Sequence, residues 1–337
     1  METRYRISVA VFTALMLSGC DNMSWGGASL ELVRPEPKNP VVEEEPVDLA
    51  DALPPLPEGP SVFVVEQLEG GARIMPVGAV VGGTLTEHPL ESETPGARAR
   101  FLEERMASGS VFHVFADGIR VGRFVAGAAA STDSTTCQER PSVSGVLEVV
   151  PAAAAVSTFL ALPDSLGATH PRGRYQPPES ARGIRFESRR IFGEEIPRLR
   201  ARYPSDIERS RSELRLLSIS DAVAAMSSTY MFRDRLGTGP PSRAGAYAMM
   251  MVAEPGQDGY ENRFTWYRRA DIDGKGAPAV VDHMDWDGDG DSELLLRVHG
   301  ETTQWFAALD RNGSAGWSLS YEDSCRPAPP EVEPEGN

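Results

Sequence analysis

The stretch Asp285-Trp-Asp-Gly-Asp-Gly-Asp-Ser-Glu293 places five carboxylates in nine residues, one at every second position. Acids at the first, third, fifth and ninth positions, with Gly290 at the sixth, suit a tight loop wrapped around a hard cation. Alternate side chains turn inward, the glycine permits the bend, and the seventh residue offers its backbone carbonyl. An all-oxygen, multiply anionic donor set favours Ca²⁺ over zinc or copper. Asp285, Asp287, Asp289 and Glu293 are therefore expected to give side chains, and Asp291 its carbonyl. Like charges about 5 Å apart repel by roughly 0.8 kcal/mol per pair even at the dielectric of water, which favours a bound cation. The competing reading is a solvated acidic turn that holds nothing.

The flanks decide what kind of loop this is. An EF-hand needs a bidentate acid at the twelfth position, where this chain has Leu296. Glu293-Leu-Leu-Leu-Arg-Val reads as a buried strand rather than an exiting helix. With the ninth-position acid running straight into a strand, the segment resembles the DxDxDGxx(D/E) loops of FG-GAP and VCBS-type repeats. That resemblance spans about residues 271–325 and implies a Ca²⁺ loop between strands like those of a propeller blade. An upstream partial copy, Asp271-Ile-Asp-Gly-Lys-Gly276, keeps the first two acids but has Lys275 at the fifth position. Lys275 is expected to neutralise those acids in place of an ion. No further copies follow at blade-length spacing, so a complete propeller is not expected.

Other chemistry is sparse. The nucleophile elbow G-x-S-x-G, the P-loop and the zinc helix H-E-x-x-H are absent, and the five histidines are scattered. His283 stands two residues before the acidic loop, either beside an ion or on one face of a strand. Four of the five tryptophans (Trp266, Trp286, Trp305, Trp317) fall in the C-terminal third, as a sugar platform or as filling for a β-core. The net charge of −16 excludes nucleic acid, whose phosphates need a basic footprint.

The amino terminus speaks to location. Arg4 and Arg6 precede an apolar run from Ile7 to Leu17, of signal-peptide length and too short to span a bilayer. It ends in Leu17-Ser-Gly-Cys20, which resembles the lipobox of bacterial lipoproteins. The resemblance implies cleavage before Cys20, acylation of Cys20 (palmitate among the chains) and anchoring to a lipid bilayer on the periplasmic side of the envelope. Asp21 resembles the signal that retains enteric lipoproteins in the inner membrane. An exported chain meets an oxidising compartment, so Cys137 and Cys325 are either a disulfide pair or two separate thiols.

These features must be carried by a definite set of elements. Residues 1–20 form the signal peptide. Residues 21–60, rich in proline and acid, read as a disordered stalk, and 327–337 as a tail of the same kind. Residues 61–168 read as a β-rich domain with strands near Ser61–Glu66, on either side of the Asp117-Gly118 turn, Val146–Val150 and Thr158–Leu162, and one helix over Ala97–Ala107. Residues 169–215 form an Arg-rich connector whose basic face either meets anionic lipid or a partner, or pairs with nearby acids. Pro197 and Pro204 are expected to interrupt helices there, leaving Ser205–Leu217 as the helical candidate. Seven strands of a β-meander are expected over 216–326.

The fold expected is thus mainly β with a few short helices: two β-rich domains, a partly helical connector and blade-like C-terminal strands. The function expected is a non-catalytic binding or assembly module for an unknown protein partner, with one structural Ca²⁺. An envelope hydrolase with a structural calcium, or an FG-GAP-like adhesion module, are the alternatives.

Overall fold

The computed structural model describes residues 56, 58–88, 96–167, 170, 173–176, 182–219 and 224–325. The lipobox with Cys20, nearly all of the 21–60 stalk and the 327–337 tail lie outside the described residues. Of the helices that are described, none is long and apolar enough to cross a membrane.

The chain is mainly β. Its first half supplies Ser61–Leu68 (β1), Gly71–Val81 (β2), Thr84–Thr86 (β3), Val111–Ala116 (β4), Ile119–Asp133 (β5), Arg140–Val149 (β6) and Thr158–Pro163 (β7). They pair antiparallel in the order β1-β7-β4-β5-β6-β2, and β1 also pairs with β2, closing a six-stranded barrel. Short β3 extends the sheet beside β2. The β4–β5 hairpin turns on Asp117 and Gly118, both at positive φ (52° and 69°), the primed geometry that matches strand twist. Helix α1 (Ala97–Arg105) adds Phe101 to the barrel core, against Phe63 with ring centroids 6.4 Å apart.

The second half forms two four-stranded meanders. One holds Arg211–Leu217 (β8), Ala225–Phe232 (β9), Tyr247–Gly256 (β10) and Gly259–Arg269 (β11). The other holds Ala277–Met284 (β12), Glu293–His299 (β13), Gln304–Arg311 (β14) and Trp317–Glu322 (β15). All seven strands expected in this region are present. Three further α-helices, Asp164–Gly167 (α2), Arg182–Arg198 (α3) and Ile207–Ser210 (α4), and two 3-10 turns, Pro151–Ala153 and Gly313–Ala315, complete the described elements.

Strand alternation assembles these parts into layers. In β1, Phe63 and Val65 point into the barrel, whereas Val62 and Val64 pack on Val281, Leu295 and Phe306 of the β12–β15 sheet. In β13, Leu295 faces the barrel while Leu294 and Leu296 face Met250, Val252 and Trp266 of the β8–β11 sheet. The far side of that sheet is covered by Ile184, Ile191, Phe192 and Ile196 of α3. Barrel, sheet, sheet and helix thus share three successive cores. Strands buried on both faces explain the continuous apolar runs Leu294–Leu296 and Met249–Val252. The four C-terminal tryptophans are all buried, so they fill the cores.

Two expectations about local structure fail. Ser205–Leu217 is not one helix: α4 is a single turn, capped by Asp206 accepting from Arg209 N (3.1 Å), and β8 follows at once. Pairing with β9, which sets Leu217 opposite Ala225, overrides the local helical pattern. Pro197 does not end a helix early either; it sits in the last turn of α3, where few intrahelical bonds remain to be lost. The Arg-rich segment therefore contributes α3 as an outer layer and β8 as a sheet strand.

The barrel is fastened to the β12–β15 sheet by a buried ion pair. Arg140 of β6 and Asp323, just beyond β15, meet at 2.7 Å with both side chains fully enclosed. Arg140 Nη1 also donates to the carbonyls of Pro76 (2.9 Å) and Val77 (2.6 Å), and Asp323 accepts from Phe306 N (2.9 Å). Arg140→Met strands a buried carboxylate and is expected to destabilise by about 3–5 kcal/mol. Adding Asp323→Asn to that variant should recover part of the loss in chemical denaturation; full additivity of the two single changes would refute the pairing.

Two histidines set an acid limit. Burial holds His88, packed on the Phe101 ring at 4.6 Å, down to about pKa 4, with Arg140 reinforcing the shift. His299 is likewise held at about 4 by burial, then by Arg297 and Lys275. A base whose folded pKa lies below its unfolded value of 6.5 contributes stability above pH 6.5, which is lost as pH falls from 6.5 towards 4. Denaturation curves should show this loss, and His88→Phe should make it shallower; an unchanged profile would remove His88 from the account.

Candidate metal centre

Residues 285–292 connect β12 to β13, so the acidic stretch does lie between two adjacent strands. The loop is wound by its own side chains. Asp285 accepts from Gly288 N (2.6 Å) and Gly290 N (3.0 Å), Asp287 from Asp289 N (3.0 Å), and Asp289 from Asp291 N (2.8 Å). Gly288 and Gly290 both take positive φ, 84° and 94°, where a side chain would be strained. This winding brings one carboxylate oxygen each from Asp285, Asp287, Asp289 and Glu293 within 4.8 Å of one another.

Asp291 is different. Its carboxylate pairs with Arg311 and accepts from Gly313 N (3.2 Å), so its side chain is directed away from the other four. The four converging carboxylates make an all-oxygen donor set that fits a hard divalent cation.

The site is electrostatically loaded. Glu293 is buried, and its Oε2 accepts from Trp286 N (2.8 Å). Burial first, then the neighbouring Asp287, Asp285 and Asp310 carboxylates, push its pKa up to about 9. Asp310 on β14 is raised as well, by burial and by Asp289, despite its bond from Ser320. A dication reverses such shifts by supplying the missing counter-charge. Asp310 is the acid that sequence reasoning missed: it lies on another strand, seventeen positions past Glu293, with no local pattern around it.

The surroundings hold the loop from several sides. Ser292 Oγ donates to Ile219 O (2.9 Å). Arg311 reaches from Asp291 to Glu254 of β10 (2.9 Å). On the barrel side, a Cβ at Gly83, in the β2–β3 turn, would come within 3.0 Å of Asp287 Oδ2.

The partial copy at 271–276 is arranged otherwise. Lys275 does not neutralise its acids; it is buried against Asp234 at 3.1 Å. Asp271 pairs instead with Arg269 (2.9 Å), and Asp273 accepts from Arg269 N (2.9 Å). Cys137 and Cys325 are joined in a disulfide across 188 positions, tying the β5–β6 loop to the chain just beyond β15.

His283 does not reach the acidic loop. Its ring is buried, and Nε2 lies 2.9 Å from Asp117 Oδ1 in the barrel hairpin. Asp117 and Asp282 line a cleft of about 460 Å³ between the barrel and the two sheets, which also contains Tyr175, Arg215 and Arg297. The histidine lies behind Asp117, outside that lining, so it orients the carboxylate rather than facing a ligand. Nothing in the chain order announces this meeting of positions 117 and 283.

Comparison with known protein families, with curated proteins and with solved structures found no match to this chain.

Proposed function

We propose that residues 285–293 bind one structural Ca²⁺ and that the protein is a lipid-anchored envelope module without catalytic activity. The observation that carries the calcium reading is the convergence of Asp285, Asp287, Asp289 and Glu293 to within 4.8 Å, while Asp291 turns its side chain to Arg311. In this reading the cation offsets the charge of a buried acid cluster and stiffens the β12–β13 connection. The barrel (61–168) and the meanders (216–326) then act as two domains joined through residues 169–215. The 21–60 stalk carries them from acylated Cys20 on the periplasmic side, where they bind or assemble with a protein partner.

The burial of His283 behind Asp117 removes that histidine as a general base for an envelope hydrolase, while His299 lines the same cleft. A general base must reach the proton that it takes. The FG-GAP-like reading draws support from the loop's place between consecutive strands of a four-stranded meander.

A thermal melt with EDTA and with Ca²⁺ tests the metal. At a hundred times its Kd the ion should stabilise by about 2.7 kcal/mol, a shift of roughly 5–10 °C. Asp287→Asn with Asp289→Asn should abolish the shift; a wild-type melt indifferent to Ca²⁺ would refute the assignment. The anchor is tested separately by metabolic labelling with a palmitate analogue. Label should enter the wild type and be absent from Cys20→Ala, and equal labelling of both would exclude Cys20 as the acylated residue.

A further inference from the structure

The fold divides the arginines of residues 198–215 into two groups. Arg198, Arg209, Arg211 and Arg215 each pair with an acid close by in sequence: Glu195 (2.6 Å), Asp206 (3.3 Å), Glu208 and Glu213 (2.9 Å). For those four, pairing with nearby acids accounts for the basic run. Arg200 and Arg202 make no guanidinium hydrogen bond or ion pair among the described residues. Both instead line a cleft of about 610 Å³, and Arg233 and Arg269 line it with them.

This cleft is short of negative charge. Arg233 donates to the carbonyl of Ala244 (3.0 Å) and lies over the Phe232 ring (5.1 Å), so it is held without being neutralised. The lining acid is Asp271, bonded to Arg269 at 2.9 Å. The hydrogen bond from Arg269 holds the Asp271 carboxyl below its usual range, with Arg202 a smaller contributor. Four exposed arginines thus line the cleft with one acid in a chain whose net charge is −16.

The backbone presents these side chains deliberately. Arg200 follows α3 at φ 53°, and Arg233 follows β9 at φ 56°. The first is the left-handed position after a helix, where glycine is the usual occupant. Arg202 is fixed by its carbonyl, which accepts from the Tyr247 hydroxyl (2.7 Å). Planar guanidiniums lining one cleft can match the paired oxygens of a phosphate.

We propose that this cleft is a binding site for a phosphate group, with Arg200 and Arg202 supplying the unpaired guanidiniums. The proposal is independent of the calcium reading, since none of these residues belongs to the acidic loop. The phosphate can belong to a soluble compound or to a lipid headgroup, and two probes separate these sources. Inorganic pyrophosphate represents the first, and glycerophosphoglycerol, the water-soluble phosphodiester headgroup, represents the second.

Calorimetric titration of the full chain at low salt is expected to show saturable binding of at least one probe, and the tighter one identifies the source. Arg200→Gln and Arg202→Gln should each weaken that binding by about tenfold, with an unchanged thermal midpoint. Arg198→Gln with Arg209→Gln, which removes equal charge per site outside the cleft, should leave the affinity within about twofold. The proposal is overturned if neither probe binds, or if the control weakens binding as much as the cleft variants do.

Discussion

The fully enclosed contact between Arg140 and Asp323 is the constraint on which the layered arrangement depends. A guanidinium and a carboxylate removed from water are tolerated only when each is matched, because an unmatched buried charge costs several kcal/mol. Arg140 belongs to the barrel, while Asp323 follows the last strand of the neighbouring sheet, so neither is matched until the two layers meet. Once they do, the carbonyls of Pro76 and Val77 and the amide of Phe306 complete the set. The Cys137–Cys325 disulfide closes the chain close by in sequence, three residues before Arg140 and two after Asp323. Cross-linking so long a loop restricts the unfolded chain in the same direction, by up to about 5 kcal/mol on the chain-entropy account. Hydrophobic burial supplies the bulk of the adhesion between layers; the ion pair makes it specific.

The acidic loop depends on that stacking as well. Its winding is local, made by Asp285, Asp287 and Asp289 on their own backbone amides. Its seating is not: the Gly83 turn comes from the barrel, Arg311 from the loop's own sheet, and Ile219 and Glu254 from the other sheet. A cation there would be held by one loop yet stabilise the junction of three layers. Arg311 carries much of this coupling, since one guanidinium joins Asp291 to Glu254 and Glu254 also accepts from Trp317. The same stacking creates the cleft at Asp117 and Asp282, where the barrel hairpin meets β12.

Charge is partitioned over the molecule. Acidic groups concentrate at the β12–β13 loop, while α3 and the start of the β8–β11 sheet carry the arginines. Arg198, Arg209, Arg211 and Arg215 are neutralised by acids three or fewer positions away, whereas Arg200 and Arg202, like Arg185 and Arg189 of α3, make no ion pair among the described residues.

Much of this was legible in the residues alone. Strand-length apolar runs, the Asp117-Gly118 turn and all seven C-terminal strands followed from period and turn chemistry, because both are short-range properties of the backbone. The convergence of Asp285, Asp287, Asp289 and Glu293 could be read for the same reason: spacing within nine residues fixes which side chains share a face. β2 was missed, since Gly71, Pro76 and Gly78 argue against a strand that only its pairing with β1 and β6 makes stable. Ser205–Leu217 was misread because a place in a sheet outweighs helix propensity. The pairing of Cys137 with Cys325, the burial of Lys275 against Asp234, the approach of Asp310 to the loop and the meeting of His283 with Asp117 were decided only in three dimensions. Each joins residues on separate elements, and the hydrophobic stacking that brings them together leaves no spacing in the chain to read.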